Sequence, residues 1–289
     1  MNNRVLLLGH TGKLGLALNE AFGGDAYTVV GKNSKDFDAS QLNAVQDLVK
    51  EVNPALVLNA VGFVGVDPCE SDPHSAFQIN TIYPKLLAEL SNELGYTLVH
   101  FSTDAVFSDA EIGELHTETS SPRPKNIYGL TKYGGDCMIA SLARRYYILR
   151  IPILFGRSIK NNQFVEKMLQ RTKEGARELR VSADVISSPT YSRDVATEAK
   201  RIYESGLDYG LYHVANHGTG SLHELIDELV RFLGLDVEVT RASHSEFTGK
   251  GVKNLCTPIR SERIPGLRPW RSALSEYCAS LVVREENTP

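Results

Sequence analysis

Long apolar runs are missing from this chain. The longest near its start, Val5 to Leu8, is too short for a signal-peptide core or a membrane-spanning helix. Cysteine is scarce, and Cys69, Cys137, Cys256 and Cys278 are scattered with no spacing that would ligate a metal. Neither sign of charge forms a run, and the net charge is -4. Such a balance exerts no strong pull on nucleic acid or a membrane surface. Together these absences lead to an expected cytoplasmic location with reduced thiols, no nucleic-acid or membrane partner, and no metal centre. No internal repeat, low-complexity tract or flexible linker interrupts the sequence.

What is present suits an ordinary globular protein of 289 residues, long enough for a large core with a smaller lobe. Short apolar runs alternate with helical stripes. Arg4 to Leu8 reads as a strand buried on both faces. Leu14, Leu18 and Phe22 then recur at helical spacing. Strands follow at Tyr27 to Val30, Leu56 to Leu58, Thr97 to Phe101 and Tyr147 to Ile151. Helices are predicted at the stripe Val45, Leu48, Val49 and Val52, over Ala76 to Leu94, and near Ile127 to Ala143. This rhythm predicts βαβ units and a parallel sheet. The fold class is therefore α/β, a Rossmann-type doubly wound sheet with a smaller C-terminal substrate lobe. Residues 1–155 would form the dinucleotide-binding core, with a return near 181–215, and 156–289 mainly the lobe. Within that lobe Ser221 and Glu224 form a capping-box pattern for a helix ending at Gly234. Pro258, Pro265 and Pro269 leave no room for long helices between them.

The first strand runs directly into Gly9-His10-Thr11-Gly12-Lys13-Leu14-Gly15. Glycines there let backbone approach a pyrophosphate closely, and the helix N-terminus offers free N–H groups and partial positive charge. Strand, glycine turn and helix in that order point to a dinucleotide. An NAD site usually places a carboxylate at the end of the second strand for the ribose 2′-hydroxyl. Here the run is Gly31-Lys32-Asn33-Ser34-Lys35, so a 2′-phosphate would meet Lys32 and Asn33, and NADP(H) is the expected cofactor. Asp38 would reach the adenine.

Tyr128 and Lys132 stand four residues apart and share a helix face. A free tyrosine has a pKa of about 10, and a nearby ammonium favours phenolate, which suits proton transfer near neutrality. Thr103 closes the fourth predicted strand, at the sheet edge where open α/β folds bind ligands. A hydroxyl there can bond a substrate oxygen as its charge changes.

Three stretches carry a resemblance: Asn59-Ala60-Val61-Gly62 with Asp67 and Glu70, Ser102-Thr103-Asp104-Ala105-Val106-Phe107, and Asn126-Ile127-Tyr128-Gly129-Leu130-Thr131-Lys132. With Leu149-Arg150, Ser188-Pro189-Thr190 and Gly210-Leu211-Tyr212-His213, the chain resembles the extended short-chain dehydrogenase/reductase family over roughly residues 1–220. It is most similar to the branch that reduces nucleotide-linked keto-sugars. The resemblance implies Thr103, Tyr128 and Lys132 as a catalytic triad. Tyr128 would protonate the sugar C4 oxygen while NADPH delivers hydride to C4, and Lys132 would bond the nicotinamide ribose. Ala60, Val61 and the Ile151-Pro152 segment would line the cofactor. Apart from the resemblance, Asp67, Asp104, Asn161, Asn162 and Arg193 are candidates to touch the substrate, and each reads equally well as a capping or solvated polar residue. The implied reaction is reduction of a nucleotide-activated 4-keto-deoxysugar, foremost dTDP-4-dehydro-L-rhamnose, in polysaccharide precursor synthesis. The family often forms dimers, so a homodimer is an assembly to look for.

The chain departs from the branch at several points. Ala105 replaces an aromatic after Ser-Thr-Asp, Ile151-Pro152-Ile153-Leu154-Phe155 lacks the usual tryptophan, Asp136 replaces a glutamate, and Thr257-Pro258-Ile259-Arg260-Ser261 is a reduced C-terminal motif. Ala105 also argues against a sugar 4,6-dehydratase, which needs an acid there, and Lys32 against an NAD-retaining epimerase. A binding protein remains the other class: Leu149 to Gly156 is similar to the NADP-holding regulatory subunit of methionine adenosyltransferase.

Overall fold

A computed structural model describes residues 2–111, 113–160, 163–247 and 249–286. Six parallel strands form its main sheet: β1 (Arg4–Leu8), β2 (Thr28–Lys32), β3 (Leu56–Asn59), β4 (Thr97–Thr103), β5 (Tyr146–Ile151) and, after a strand β6 (Glu178–Ser182) that lies elsewhere, β7 (Gly210–His213). Their order across the sheet is β7-β5-β4-β3-β1-β2. The order reverses between β1 and β3, which opens a crevice at the carboxyl ends of those strands.

The strand residues sort themselves by parity. Val5 and Leu7 pack with Leu58, Phe101 and Leu149 on one face, and Leu6 and Leu8 with Val57, Leu98 and Ile148 on the other. Each face is covered by helices, which is why these strands read as unbroken apolar runs. Helices α1 (Lys13–Ala21), α2 (Leu42–Val52), α3 (Tyr83–Leu94), α4 (Ile127–Leu142), α5 (Phe164–Lys173), α6 (Ser192–Glu204) and α7 (Leu222–Leu233) follow in chain order. Leu14 and Leu18 of α1 join Val195 and Ala199 of α6 on the first face, while Val45 of α2 and Leu87 of α3 cover the second.

The helix expected over 76–94 is broken. A short helix Pro73–Phe77 passes into a π-helical turn, Gln78–Ile82, before α3 begins. The turn is held by side chains: Asn80 grips both the N–H and the carbonyl of Phe63 and donates to Thr131 Oγ1, and Thr81 donates to the Thr131 carbonyl at 2.7 Å. π-turns of this kind cluster at functional sites, and this one backs the helix carrying Tyr128 and Lys132.

A second apolar cluster gathers Phe155, Val165, Leu179, Leu225, Leu229, Trp270 and Leu274. Its strand β6 pairs in parallel with β8 (Glu238–Ala242), apart from the main sheet. Ser221 and Glu224 close the capping box reciprocally, and Gly234 ends α7 in the left-handed conformation. A long C-terminal helix, α8 (Trp270–Glu286), begins directly after Pro269. Its first residue, the only tryptophan, is buried and donates to the Thr219 carbonyl.

Candidate functional site

The glycine loop crosses itself at van der Waals limits. Gly9 sits at φ +89°, and a Cβ on Gly15 would lie 2.1 Å from the Gly9 carbonyl oxygen. Only bare backbone lets α1 start this close to β1. Beyond the loop, at the β1/β3 reversal, is a cavity of about 430 Å³ whose lining includes Gly9, Thr11, Gly12, Asn33, Asp38, Ala60, Val61 and Lys160. Asp38, singled out in the sequence, is among the lining residues, its carboxylate accepting the Ser40 N–H at 2.9 Å. The glycine cradle and the free N-terminus of α1 fit a dinucleotide's pyrophosphate.

Other loop residues behave differently from expectation. The Lys13 ammonium turns away from the cavity to the Leu154 carbonyl (2.8 Å) and into a buried ion pair with Glu166 of α5 (3.0 Å). The apolar Leu14 side chain joins the core, so both residues present only backbone to the loop. Lys32 does not wall the cavity; its carbonyl accepts from the Gly9 and His10 N–H groups. Asn33 stands at the wall instead, inside a turn in which it accepts from the Lys35 N–H.

Thr103 ends β4 and Tyr128 opens α4, and their side chains are brought together. The Thr103 side chain lies close enough to the Tyr128 phenol to influence its ionisation; its oxygen accepts the Ala105 N–H at 3.1 Å while its own proton goes to Asp104 Oδ1, again at 3.1 Å. The start of α4 is fixed on both sides. Asn126 caps it by accepting the Gly129 N–H, and Glu70 accepts the Ile127 N–H. A Cβ on Gly129 would lie 2.1 Å from the Ala105 carbonyl oxygen, so glycine after Tyr128 is what lets the helix lie flat on the Thr103 turn.

Lys132 reaches the underside of this arrangement. It is buried, donates to the Phe101 carbonyl at 2.7 Å and stands 3.3 Å from His100 Nε2. Burial lowers its pKa to about 8, against the opposing pull of Asp136. The phenol of Tyr128 is pushed above its ordinary value, not below it, because desolvation outweighs the opposing influence of the nearby Thr103 hydroxyl. The expected lowering by Lys132 is therefore absent: the ammonium is engaged beneath the sheet edge. A phenol held protonated in this way is suited to serve as an acid. Asp104, next to Thr103, is raised to about 6 by removal from water, although Thr257, Thr103 and Ser187 all donate to it.

The remaining sequence candidates divide. Ile151 pairs with Thr103 across β4 and β5 and so stands at the same sheet edge. Asp67 accepts the Lys250 N–H at 2.8 Å, tying the segment after β3 to the C-terminal part. Arg193 is largely exposed and paired with Glu276 of α8, and no contact joins it to the Thr103–Tyr128 pair. Asn161 and Asn162 lie outside the described residues. Sequence reasoning passed over His100, Lys160 and the role of Thr257, whose reach back to Asp104 links a reduced C-terminal motif to the strand end. A larger groove of about 720 Å³ lies in the second cluster, among Leu169, Ala176, Val237 and Leu281, and none of the triad lines it. Among the described residues no helix is long and apolar enough to cross a membrane.

The chain is similar to known proteins over nearly its whole length. A spore coat polysaccharide biosynthesis protein of Bacillus subtilis (strain 168) is 31% identical over 95% of this chain and 96% of its own. The solved structure of a dTDP-4-dehydrorhamnose reductase from Clostridium acetobutylicum superposes with a TM-score of 0.90 at 31% identity, covering 96% of this chain and 99% of that one. That of a dTDP-4-dehydrorhamnose reductase from Bacillus anthracis, in complex with NADP, gives 0.90 at 29% identity, covering 97% and 100%. The model of the RmlD substrate binding domain matches residues 3–283. With the glycine cradle at the sheet reversal and the threonine, tyrosine and lysine at its edge, the chain belongs to the RmlD substrate binding domain family, within the extended short-chain dehydrogenase/reductases.

Proposed function

We propose that the protein is an NADP(H)-dependent reductase that converts the 4-keto group of a nucleotide-activated deoxysugar to an alcohol, with dTDP-4-dehydro-L-rhamnose as the first substrate to test. The observation that carries this reading is the meeting of Thr103, at the end of β4, with Tyr128, at the start of α4, on the carboxyl edge of a sheet whose β1/β3 reversal holds a glycine-lined cavity. Both the B. anthracis and the C. acetobutylicum relatives bear the name of that reductase.

NADPH would be held along Gly9, Thr11, Gly12 and Gly15, with Ala60 and Val61 as a wall and Asn33 toward the 2′-phosphate; when bound it supplies the hydride. Everything else falls to the chain. Thr103 bonds and orients the substrate oxygen. Tyr128, kept protonated by desolvation, gives its proton to that oxygen as negative charge develops, a contribution typically of 10²–10⁴-fold. Lys132, whose amino group is buried against the Phe101 carbonyl, is the residue available to the nicotinamide ribose. Asp67 and Asp104 flank the substrate side, and residues 156–289 supply most of the lobe that closes over it. Ala105 leaves space where relatives of the branch carry an aromatic, which makes the sugar the least constrained part of the reading.

The test is consumption of NADPH with dTDP-4-dehydro-L-rhamnose, with NADH and a UDP-linked 4-keto-sugar in parallel, and product identification by mass. Turnover with NADPH supports the reading. Tight NADPH binding with no turnover of any keto-sugar sinks it and favours an NADP-holding binding protein.

A further inference from the structure

His100 belongs to no role assigned so far. It is fully buried in β4, between Asn59 of β3 and Lys132 of α4. Its Nδ1 lies 2.9 Å from Asn59 Nδ2 and its Nε2 lies 3.3 Å from Lys132 Nζ. Asn59 Oδ1 in turn accepts the Val61 N–H at 3.2 Å. A backbone N–H can only donate, so it fixes which end of the Asn59 amide faces which neighbour. The amide nitrogen must then donate to His100 Nδ1, and a neutral ring carries its proton on Nε2. That N–H points at Lys132.

A protonated Lys132 has no lone pair with which to accept it. The network is therefore self-consistent in two states. In one, Lys132 is an amine that accepts from Nε2–H and donates to the Phe101 carbonyl. In the other, Lys132 is an ammonium donating to Nε2, the ring proton sits on Nδ1, and the Asn59 amide is reversed, leaving the Val61 N–H without its acceptor. Passing from the first to the second adds one proton in total: Nζ gains one while the ring proton moves from Nε2 to Nδ1. Val61 walls the nucleotide cavity.

We propose that His100 is a positioning residue of the reductase, and that the buried chain Val61–Asn59–His100–Lys132 couples the protonation of Lys132 to the backbone N–H at the cavity wall. The proposal rests on the reductase reading for its purpose but not for its geometry. Other charges face Lys132 without replacing His100. Asp136 on the same helix favours the ammonium, and Arg150 of β5 is bonded to Asp136; Tyr128 stands on the same helix, with Asp104 and Cys69 beside it. His100 itself is held neutral by burial and by Lys132. Lys132, with its pKa lowered to about 8, would switch the network near neutral pH.

The experiment is ¹⁵N NMR of the histidine rings in the full-length protein without cofactor, titrated from about pH 6 to about pH 10, with His100 assigned by its loss in His100→Gln. The expected result is a neutral His100 ring that changes from the Nδ1–H to the Nε2–H tautomer as pH rises through the Lys132 midpoint. Lys132→Met should lock it as Nε2–H throughout. His100→Gln should raise the Lys132 midpoint by about one pH unit, since a side-chain oxygen can accept from the ammonium. A ring that keeps one tautomer while Lys132 titrates overturns the proposal. Tautomer switching in a protein that turns over no keto-sugar would leave the relay standing and sink the reductase reading instead.

Discussion

Arg150 Nε lies 3.0 Å from Asp136 Oδ2, with both side chains almost sealed from solvent. The pair joins β5 to α4 on the turn after Lys132, and Asp136 opposes the loss of charge on that lysine. Burying a single unmatched carboxylate is far costlier than burying the pair. Arg150→Met should therefore lower the unfolding free energy by about 3–5 kcal/mol, measured by urea denaturation. The double variant Arg150→Met with Asp136→Leu should recover most of it. Equal losses in the single and double variants would mean that the pair contributes through packing alone.

Lys132 carries a stability cost whose pH dependence follows from its shift. Its pKa falls from 10.5 to about 8 on folding, so between these values the unfolded chain binds the proton and the folded chain does not. Stability rises with pH through that window, and the penalty is present in full below about 8. It amounts to about 3 kcal/mol, less about 1 kcal/mol for the bond to Phe101. Lys132→Met should thus be the more stable protein at pH 7 by about 2 kcal/mol while losing activity, and the advantage should fade as pH rises toward 10.5. Thermal melts across that range provide the check.

Gly129 separates packing from chemistry. Because its Cβ would collide with the Ala105 carbonyl, Gly129→Ala must lift the start of α4. A cost of about 1–3 kcal/mol is expected, together with a fall in kcat larger than the change in KM for NADPH, since Tyr128 moves relative to Thr103. A variant with unchanged kcat would show that the contact is not what aligns the pair.

Much of the fold and the grouping of the candidate residues was legible beforehand, and the reasons for the misses are physical. The glycine loop, Thr103, Tyr128 and Lys132 could be singled out as candidates because each has a local signature: a strand end, a helix start, a four-residue spacing. The strands β1, β3 and β4 announced themselves by apolar runs of the length a doubly buried strand requires, and the edge strand β2 by a shorter one. The π-turn at Gln78–Ile82 did not, because Asn80 and Thr81 are stabilised there by Phe63 and Thr131, which are distant in sequence. Lys13 and Lys32 were read from their position beside the loop, yet side-chain direction depends on partners such as Glu166 that only the fold supplies. His100 gave no signal at all, since one histidine inside an apolar strand looks like any other buried residue.

Cofactor preference should depend on Asn33 more than on Lys32, because Asn33 stands at the cavity wall. Asn33→Asp places a like charge against a 2′-phosphate, which costs several kcal/mol when close. NADPH affinity should fall roughly 100-fold with NADH little changed, as measured by fluorescence titration. An equal loss for both nucleotides would remove Asn33 from phosphate recognition.

The central claim, proton donation by Tyr128 beside Thr103, is tested most directly by single-turnover NADPH oxidation in wild-type and Tyr128→Phe proteins with dTDP-4-dehydro-L-rhamnose at saturating cofactor. The account predicts that the variant binds NADPH as the wild type does and loses about 10²–10⁴-fold in rate. A Tyr128→Phe protein that oxidises NADPH at the wild-type rate would contradict it.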